Sequence, residues 1–298
     1  MPKFTQSPSY REALSGHKTE GSADDEQFHP IYRINRLPDE EKRKIYATLI
    51  PPQIFTKFQI DPETLCNQAG ESVFTCHYRP RTSSMGIELC HQAGFADPLF
   101  LLEMRDTPFG DIEILFLNMN NPDAERFQID RDAFGNDTVF ATVARNIPEE
   151  MRALRAGLAP GQIRNGLRLF RSFRVQAQKF CSIFGIQRVK VEPLAYHNAI
   201  MHEFYGFRYL TGRDKMEQID REFAPGGVLF KRLDGSTPFR QPGFERSIKG
   251  RSWAIHDGIL EEPWQCPRMY YAMDEPPDRV YDPFTCRIPA RYDDRLPY

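Results

Sequence analysis

The chain has 298 residues, of which 40% are hydrophobic and 12% aromatic, so it can bury a substantial core in one large domain or one domain with extensions. No run approaches the roughly 18 apolar residues of a membrane span, and residues 1–26 lack the apolar centre of a signal peptide. We therefore expect a globular, cytoplasmic protein without a membrane span.

Basic charge is concentrated in one segment. Nine Lys and Arg residues and no acidic residue lie between Met151 and Lys190, although the whole chain has 39 basic and 41 acidic residues. The remainder therefore has 30 basic against 41 acidic residues. A cationic segment in an acidic body indicates an anionic partner.

The first half of the chain predicts an antiparallel half-sheet with helices. Residues 1–28 are polar and predict a mobile arm. Proline and acidic residues favour helix starts at Pro38 and Pro51. Runs of apolar residues bounded by turn residues predict strands. The predicted strands are Ile31–Ile34, residues 72–78, residues 85–91, a hairpin of Leu99–Met104 and Ile112–Met119, and Arg126–Ile129; the predicted helices run to Leu49 and Phe58.

The six cysteines contain no C-x-x-C pair, which favours reduced thiols over a disulfide or zinc framework. A hairpin centred on Ser83 would make Cys76 and Cys90 cross-strand neighbours. His77 and His91 would then face away from their own cysteines, because adjacent strand residues point to opposite faces. We expect two core cysteines rather than a metal site there.

A glycine-bearing loop divides the basic segment into two predicted helices. The first, Ile147 to Ala156, follows Asn146 and has acidic residues in its first turn. The second, Ile163 to Phe184, has apolar residues at helical spacing over about five to six turns. On its wheel the basic side chains lie together opposite the apolar stripe: Arg164, Arg168, Arg171 and Lys179.

The loop Gly157–Gly166 opens the second predicted helix. Its glycines let backbone N–H groups point at a ligand, and a helix N-terminus attracts anions, which together suit a phosphate or pyrophosphate. A turn followed by a solvated basic face explains the same residues, since a glycine-containing loop is a weak motif.

An αβαβ succession follows the loop. After the basic helix come Gly185, a strand at Arg188–Val191, a helix around Asn198–Phe204, and a strand from Gly206 to Leu210. The order of loop, helix, Val-x-Val strand, Asn-containing helix and Tyr-Gly-Phe resembles the second half of the GNAT acyltransferase fold over about 50 residues. Further upstream, Glu125–Asp130 is similar to a strand of the autoinducer and N-acyl amino acid synthases of that fold.

The resemblance implies a fold, a reaction and a set of site residues. It implies a mixed, mostly antiparallel sheet flanked by helices, an acyl-CoA or acyl-phosphopantetheine donor, and no permanently bound cofactor. The phosphates would contact a loop that departs from the family signature at Ile163 and Arg168. The implied donor-binding residues are Gly161, Gln162, Ile163, Arg164, Asn165, Gly166, Leu167, Arg168 and Asn198.

Acyl transfer to an amine needs a base, a donor for the carbonyl oxygen, and an acid near the leaving thiolate. Glu103 and Glu113 on the hairpin are candidate bases, although solvent-facing strand residues would look the same. By resemblance the acid is Tyr205, with Tyr196 as the alternative placement. His202 is a weaker candidate base, and its spacing from His197 does not suit a metal pair.

Residues 238–298 are rich in Pro, Arg, Asp and Tyr and predict an extended tail that wraps the domain or covers a partner. The predicted organisation is thus an arm (1–28), a GNAT-like α/β domain (29–237) and a C-terminal extension (238–298). The predicted activity is N-acylation of an amine by acyl-CoA or by an acidic acyl carrier protein. A non-catalytic module that binds an acyl carrier or another protein is the alternative, and nucleic acid is the weakest partner.

Overall fold

The computed structural model of the protein describes residues 29–273, with gaps at residues 79, 80, 140 and 142. This part of the chain divides into two compact units. Unit 1 contains residues 29–124, 165–190 and 272–273, and unit 2 contains residues 125–164 and 191–271. The predicted arm and the last part of the predicted tail, residues 274–298, lie outside the described residues.

The elements in chain order are α1 (Pro30–Ile34), α2 (Asp39–Ala47), α3 (Pro52–Phe58), β1 (Phe74–His77), β2 (Ser84–Leu89), β3 (Phe100–Asp106), β4 (Ile112–Asn118), α4 (Ile147–Arg155), α5 (Phe170–Phe184), β5 (Arg188–Val191), α6 (Tyr196–Phe204), β6 (Arg208–Thr211), α7 (Arg213–Phe223), α8 (Val228–Lys231), a 3₁₀ turn (Phe244–Arg246), α9 (Ile248–His256) and β7 (Arg268–Ala272). In unit 1 the strand order is β1-β2-β3-β4-β5, and in unit 2 β6 and β7 are neighbours. Each of the strands β1 to β4 is antiparallel to the next one along the chain, and β6 is antiparallel to β7. The predicted α/β class, a mixed sheet flanked by helices, is confirmed.

One face of the unit 1 sheet carries the apolar core. Ile87, Leu102 and Met104 are buried there, and α5 contributes Phe173 and Phe180 to the same cluster. The rings of Phe100 and Phe173 lie 5.9 Å apart between centroids. Burial of such side chains contributes about 1.5–3 kcal/mol each. Of the amphipathic helix predicted for Ile163 to Phe184, the part from Phe170 onward is confirmed, with Arg171 and Lys179 exposed on the outer side.

The predicted first strand is wrong, because Ile31–Ile34 belongs to helix α1. Proline at the first helical position favours this start. The two carboxylate oxygens of Asp106 on β3 accept the backbone N–H groups of Ile31 and Tyr32, at 3.0 and 2.9 Å. Because the N–H groups at this helix start donate to a side chain 75 residues away along the chain, no local sequence signal marks the start.

The Arg126–Ile129 segment is not a strand, so that prediction is wrong as well. Arg126 instead forms an ion pair with Asp130 four residues later, at 2.7 Å. Phe127 donates its backbone N–H to the carbonyl of Ile163 at 2.8 Å and packs into the core of unit 2. The contacts of this segment are thus made by a loop rather than by a ladder of strands.

Unit 2 is built around Trp253 of α9, which is 0% exposed. Its indole N–H donates to the carbonyl of Leu158 at 2.8 Å, and its ring stacks on Phe239 with centroids 5.2 Å apart. The sequence pattern gave no indication of α9 because the helix is buried nearly all round and so has no polar stripe. The predicted boundary between residues 237 and 238 stays a prediction, and residues 244–272 contribute α9 and β7.

The register of β1 and β2 corrects the expected cysteine pairing. Cys76 pairs with Ile87, and the N–H of Cys90 donates to the carbonyl of Val73 at 2.9 Å, so the two cysteines are not opposite each other. Cys76 packs against the core, as expected for a small apolar side chain. Burial raises the pKa of the Cys76 thiol to about 11.

Candidate functional site

The sheet face opposite the unit 1 core carries a row of four residues, one from each of β1 to β4. His77 pairs with Gly86, Gly86 pairs with Glu103, and Glu103 pairs with Phe116. We call these four residues the Glu103 row. Since alternate strand residues point to opposite faces, the burial of Leu102 and Met104 in the core fixes Glu103 on the other side.

Glu103 is the buried acid of this face, with 8% of its surface exposed. Its Oε2 atom is inaccessible to solvent and accepts no hydrogen bond from the described residues. Burial raises the pKa of this carboxyl above the ordinary 4.5; the charge of His77 lowers it, and that of Glu88 raises it further. A desolvated carboxylate with an unused acceptor atom is suited to take a proton.

A β-bulge lies beside this carboxyl. Glu103 pairs with Phe116 whereas Met104 pairs with Ile114, so Leu115 is an extra residue on β4. Bulges bend the strand and change the direction of nearby side chains, and they are frequent next to active sites. The sequence predicted the hairpin and Glu103 but contained no indication of the bulge.

Gly86 lies between His77 and Glu103. A Cβ atom at this position would lie 3.5 Å from His77 Cβ and 3.6 Å from Glu103 Cγ. Glycine thus keeps a methyl-sized space between the two side chains. Next to it, His77 Nε2 lies 3.1 Å from Glu88 Oε1, and these side chains are 45% and 25% exposed.

Glu113, the second candidate base, has a strong partner. Arg105 donates to its Oε2 from Nε at 2.7 Å and from Nη2 at 2.6 Å. The guanidinium occupies one carboxylate oxygen of Glu113 with two donors, so that oxygen is already engaged. The role of Glu113 as a base stays a prediction, and the contacts favour Glu103.

The predicted phosphate loop does not open a helix, because α5 begins at Phe170 rather than at Ile163. In unit 1, Asn165 accepts the N–H of Asn121 at 3.0 Å, Leu167 donates to Met119 at 2.9 Å, and Gly166 forms a bridge with Asn120. Arg168 has a φ of 58°, outside the helical range. Backbone pairing with residues 119–121 therefore holds this segment extended.

The remaining loop residues belong to unit 2. Gly161 has a φ of 81°, which glycine adopts without strain. The Gln162 side chain accepts the N–H of Ala159 at 2.7 Å, and Ile163 is buried in the unit 2 core. Arg164 is partly exposed. Donor binding by residues 161–168 stays a prediction, but the helix-dipole argument for it does not hold at these residues.

Tyr196, the alternative acid, is buried at the start of α6. Burial disfavours the charge on the Arg251 guanidinium, but Tyr196 and Asp220 more than compensate and raise the pKa of Arg251. Arg251 donates to Asp220 at 2.6 Å and to the carbonyl of Glu245 at 2.7 Å. This cluster ties α6 to α9 and gives Tyr196 a structural role.

Tyr205 caps the C-terminal end of α6, and its ring meets that of Phe204 edge to face, 5.4 Å between centroids. Asn198, in the first turn of α6, donates its N–H to Ala195 at 3.1 Å and is partly exposed. The roles of both residues in acyl transfer stay predictions.

Sequence reasoning missed several buried polar contacts in unit 2. His197 Nδ1 lies 2.9 Å from Ser252 Oγ, and Tyr209 donates to Glu203 at 2.9 Å. Burial lowers the pKa of the partly exposed His202 to about 4, so its imidazole is neutral at pH 7. Of these contacts, His197–Ser252 joins residues 55 positions apart and has no sequence signal.

Within residues 29–273, gaps aside, no three His, Cys, Asp or Glu side chains group in a way that could hold a metal ion. None of the helices described there is long and apolar enough to cross a membrane. Comparison with models of protein families, with curated proteins and with solved structures gives no significant match to the chain.

Proposed function

We propose that the protein is an N-acyltransferase that moves an acyl group from acyl-CoA or an acyl-phosphopantetheine thioester to an amine, with Glu103 as the base. The observation that carries the proposal is the buried Glu103 carboxylate, whose Oε2 accepts no hydrogen bond from the described residues. The reaction class comes from the resemblance to the GNAT acyltransferases in residues 157–210. No metal or permanent cofactor is needed for this chemistry.

In the proposed reaction, Glu103 takes a proton from the amine, and the nitrogen attacks the thioester carbonyl. This attack forms the carbon–nitrogen bond. Collapse of the tetrahedral intermediate breaks the carbon–sulfur bond, and the thiolate takes a proton from the leaving-group acid, which regains one from the amide nitrogen. A protonated amine and a thioester thus give an amide, a thiol and one proton, which Glu103 releases to solvent. A base with a raised pKa is efficient because it lies closer to the operating pH.

The basic side of α5 supports an anionic donor. Arg171 and Lys179 are exposed on the helix, and Arg168 is exposed just before it. Exposed apolar side chains of Val175 and Ile183 lie on the same helix, 41% and 75% exposed. This surface lies on the core side of the unit 1 sheet, opposite Glu103, so it suits the docking of an acidic acyl carrier protein rather than contact with the reacting thioester.

Glu103→Gln tests the base directly. We expect thiol release from acyl-CoA or acyl carrier protein, with a panel of amines, to fall by roughly 10²–10⁴. The variant should fold at least as well as the parent, since it removes a desolvated charge. Glu63→Gln, at an exposed loop residue, is the matched control and should keep the parental rate. Parental thiol release by Glu103→Gln would remove Glu103 from the mechanism.

The leaving-group acid is tested by Tyr205→Phe, which removes only the hydroxyl. We expect turnover to fall while donor binding, followed by thermal shift, is retained. Tyr196→Phe tests the alternative placement, and its melting temperature must be measured as well because Tyr196 is buried against Arg251. Parental turnover in both variants would eliminate tyrosine acid catalysis.

A non-catalytic module for an acyl carrier is the second candidate. It is favoured by the extended conformation of residues 165–167 and by the start of α5 at Phe170, which differ from a helix-opening phosphate loop. Tight binding of acyl-CoA or acyl carrier protein without thiol release, for any amine offered, would support this alternative and overturn the enzyme proposal.

A further inference from the structure

Three polar side chains around Gly86 differ in their exposure to solvent, from the buried carboxylate of Glu103 to the half-exposed imidazole of His77. Glu103 is 8% exposed, and the side chains of Glu88 and His77 are 25% and 45% exposed. Glu88 and Glu103 lie on the same face of neighbouring strands, two residues apart in register, because Glu103 pairs with Gly86. Two carboxylates at this diagonal spacing are within reach of one bound cation.

Acidic side chains outnumber basic ones among the β1 to β4 residues of this face. Glu88, Glu103 and Glu113 share it in β1 to β4, and among the described residues of these strands only Arg105 opposes them there. Arg105 is held by Glu113 through two donors. His77 lies against Glu88. The region next to Glu103 therefore attracts cations and repels carboxylates.

We propose that Glu88 and Glu103, with His77 beside Glu88 and Gly86 between the strands, form a subsite for the ammonium group of a cationic amine that has no carboxylate of its own. The inference rests on the proposed function, since it identifies the acceptor class of the same site. An alkyl diamine fits this chemistry: one ammonium meets the two carboxylates, and the rest of the molecule brings no negative charge to them. An amino acid would place its own carboxylate near Glu88.

The Oε2 atom of Glu103 gives the second, independent observation. A side chain more than nine-tenths buried with an acceptor that no described residue uses is costly unless a ligand or water contacts it. A bound ammonium supplies that donor. It also brings to Glu103 the proton that the proposed reaction must remove.

Calorimetric titration of the full-length protein with three small probes tests the subsite without requiring turnover. The probes are 1,4-diaminobutane, butylamine and 4-aminobutyrate, which share one length and differ in charge. We expect 1,4-diaminobutane to bind most tightly and 4-aminobutyrate to bind at least tenfold more weakly. Equal affinity for the diamine and the amino acid, or no detectable diamine binding, would overturn the inference.

Three variants assign the binding to the named residues. Glu88→Gln and Glu103→Gln should each lower diamine affinity at least fivefold, while Glu63→Gln should leave it unchanged. Gly86→Ala adds a methyl group at ordinary contact distance from His77 and Glu103, so the fold should persist while the subsite is partly filled. Parental diamine affinity in Glu88→Gln would contradict the proposed subsite.

The two proposals fail separately. If thiol release depends on Glu103 and is faster with amino acids than with diamines as acceptors, the acyltransferase proposal holds and the diamine subsite is wrong. If diamine binding depends on Glu88 and Glu103 but no donor releases thiol, the subsite holds and the proposed acyltransferase activity is wrong.

Discussion

His197 on α6 and Ser252 on α9 meet inside unit 2, with Nδ1 and Oγ 2.9 Å apart. Burial is the main cause that lowers the pKa of His197 to about 3, and nearby Lys249 acts in the same direction. The imidazole is therefore neutral in the folded protein at any pH above about 4. Protonating it would place a charge on a buried side chain, which is costly.

Acid should destabilise the protein through this histidine and His202. Their folded pKa values of about 3 and about 4 are depressed from 6.5, so their contribution to stability is complete above about pH 6.5 and is lost as pH falls towards the folded values. Each neutral histidine accounts for about 1.4 kcal/mol of unfolding free energy per pH unit in that window.

The measurement is urea unfolding between pH 7 and 4.5. His197→Gln keeps a hydrogen-bonding side chain but cannot titrate, so its stability should fall less steeply with acid than that of the parent. Gln68→Ala, at an exposed residue that does not titrate, is the control and should keep the parental slope. Identical slopes for His197→Gln and the parent would show that this imidazole is not neutral in the fold.

Asp106 should make the protein less stable as pH rises, whereas the two histidines make it less stable as pH falls. Burial raises the pKa of this carboxyl to about 7, although the N–H groups of Tyr32 and Ile31 lower it. The folded pKa is above the unfolded 3.8, so the contribution to stability is complete below about pH 4 and is lost as pH rises through 7. Asp106→Asn should therefore lose less stability than the parent between pH 5 and 8, in the same urea experiment. Asp123→Asn, at an exposed loop residue, should follow the parent, and a parental slope in Asp106→Asn would contradict the assignment.

Local chemistry was enough to predict some elements and not others. Proline and acidic first turns identified α2, and the Asn146 cap with Glu149 identified α4, because these signals lie within one turn of the helix start. The start of α5 was misjudged because residues 165–167 pair with residues 119–121, more than 40 positions away. No window of sequence contains that partner.

In the candidate site, too, the residue types could be predicted from the sequence, whereas their burial and contacts could not. Glu103 was predicted from its residue type on a hairpin strand, but its burial depends on the register that sets it beside Gly86 and Phe116. Tyr196 was proposed as an acid by resemblance, and its contact with Arg251 depends on a helix that the sequence pattern did not indicate. Strand register and buried helices are properties of tertiary packing.

Arg145 joins the buried carboxylate of Glu150 to the partly buried carboxylate of Asp257 in unit 2. It donates to Glu150 from Nε at 2.9 Å and to Asp257 from Nη1 at 2.8 Å, and its guanidinium lies 4.8 Å from the ring centroid of Phe239. Arg145→Ala should cost about 3–5 kcal/mol of unfolding free energy, because it leaves a buried carboxylate with too few partners.

The double variant Arg145→Ala, Glu150→Gln separates charge from packing. Removing the charge of Glu150 should recover part of the loss, as measured by urea midpoints at pH 7. Arg152→Ala, at the exposed pair that Arg152 of α4 forms with Glu125, should cost less than about 1 kcal/mol and serves as the control. An unchanged midpoint for Arg145→Ala would mean that the network does not stabilise the fold.

Gly250 is required by the close approach of α9 to the preceding turn. A Cβ atom there would lie 2.7 Å from the Phe244 carbonyl oxygen, 2.8 Å from Phe244 Cα and 2.8 Å from Ser247 Oγ, and the first two are backbone atoms that cannot turn away. Alanine in a helix normally gains about 1 kcal/mol over glycine. Here we expect Gly250→Ala to lose stability instead, by about 1–3 kcal/mol, the cost typical of overpacking.

Because Ser247 caps α9 through the N–H of Gly250 at 3.0 Å, the strain should also loosen the helix start. Thermal and urea unfolding measure the loss, and Gly86→Ala, whose added methyl group meets only ordinary contacts, is the matched control and should melt near the parent. A Gly250→Ala protein as stable as the parent would show that α9 and the Phe244–Arg246 turn are not packed this closely.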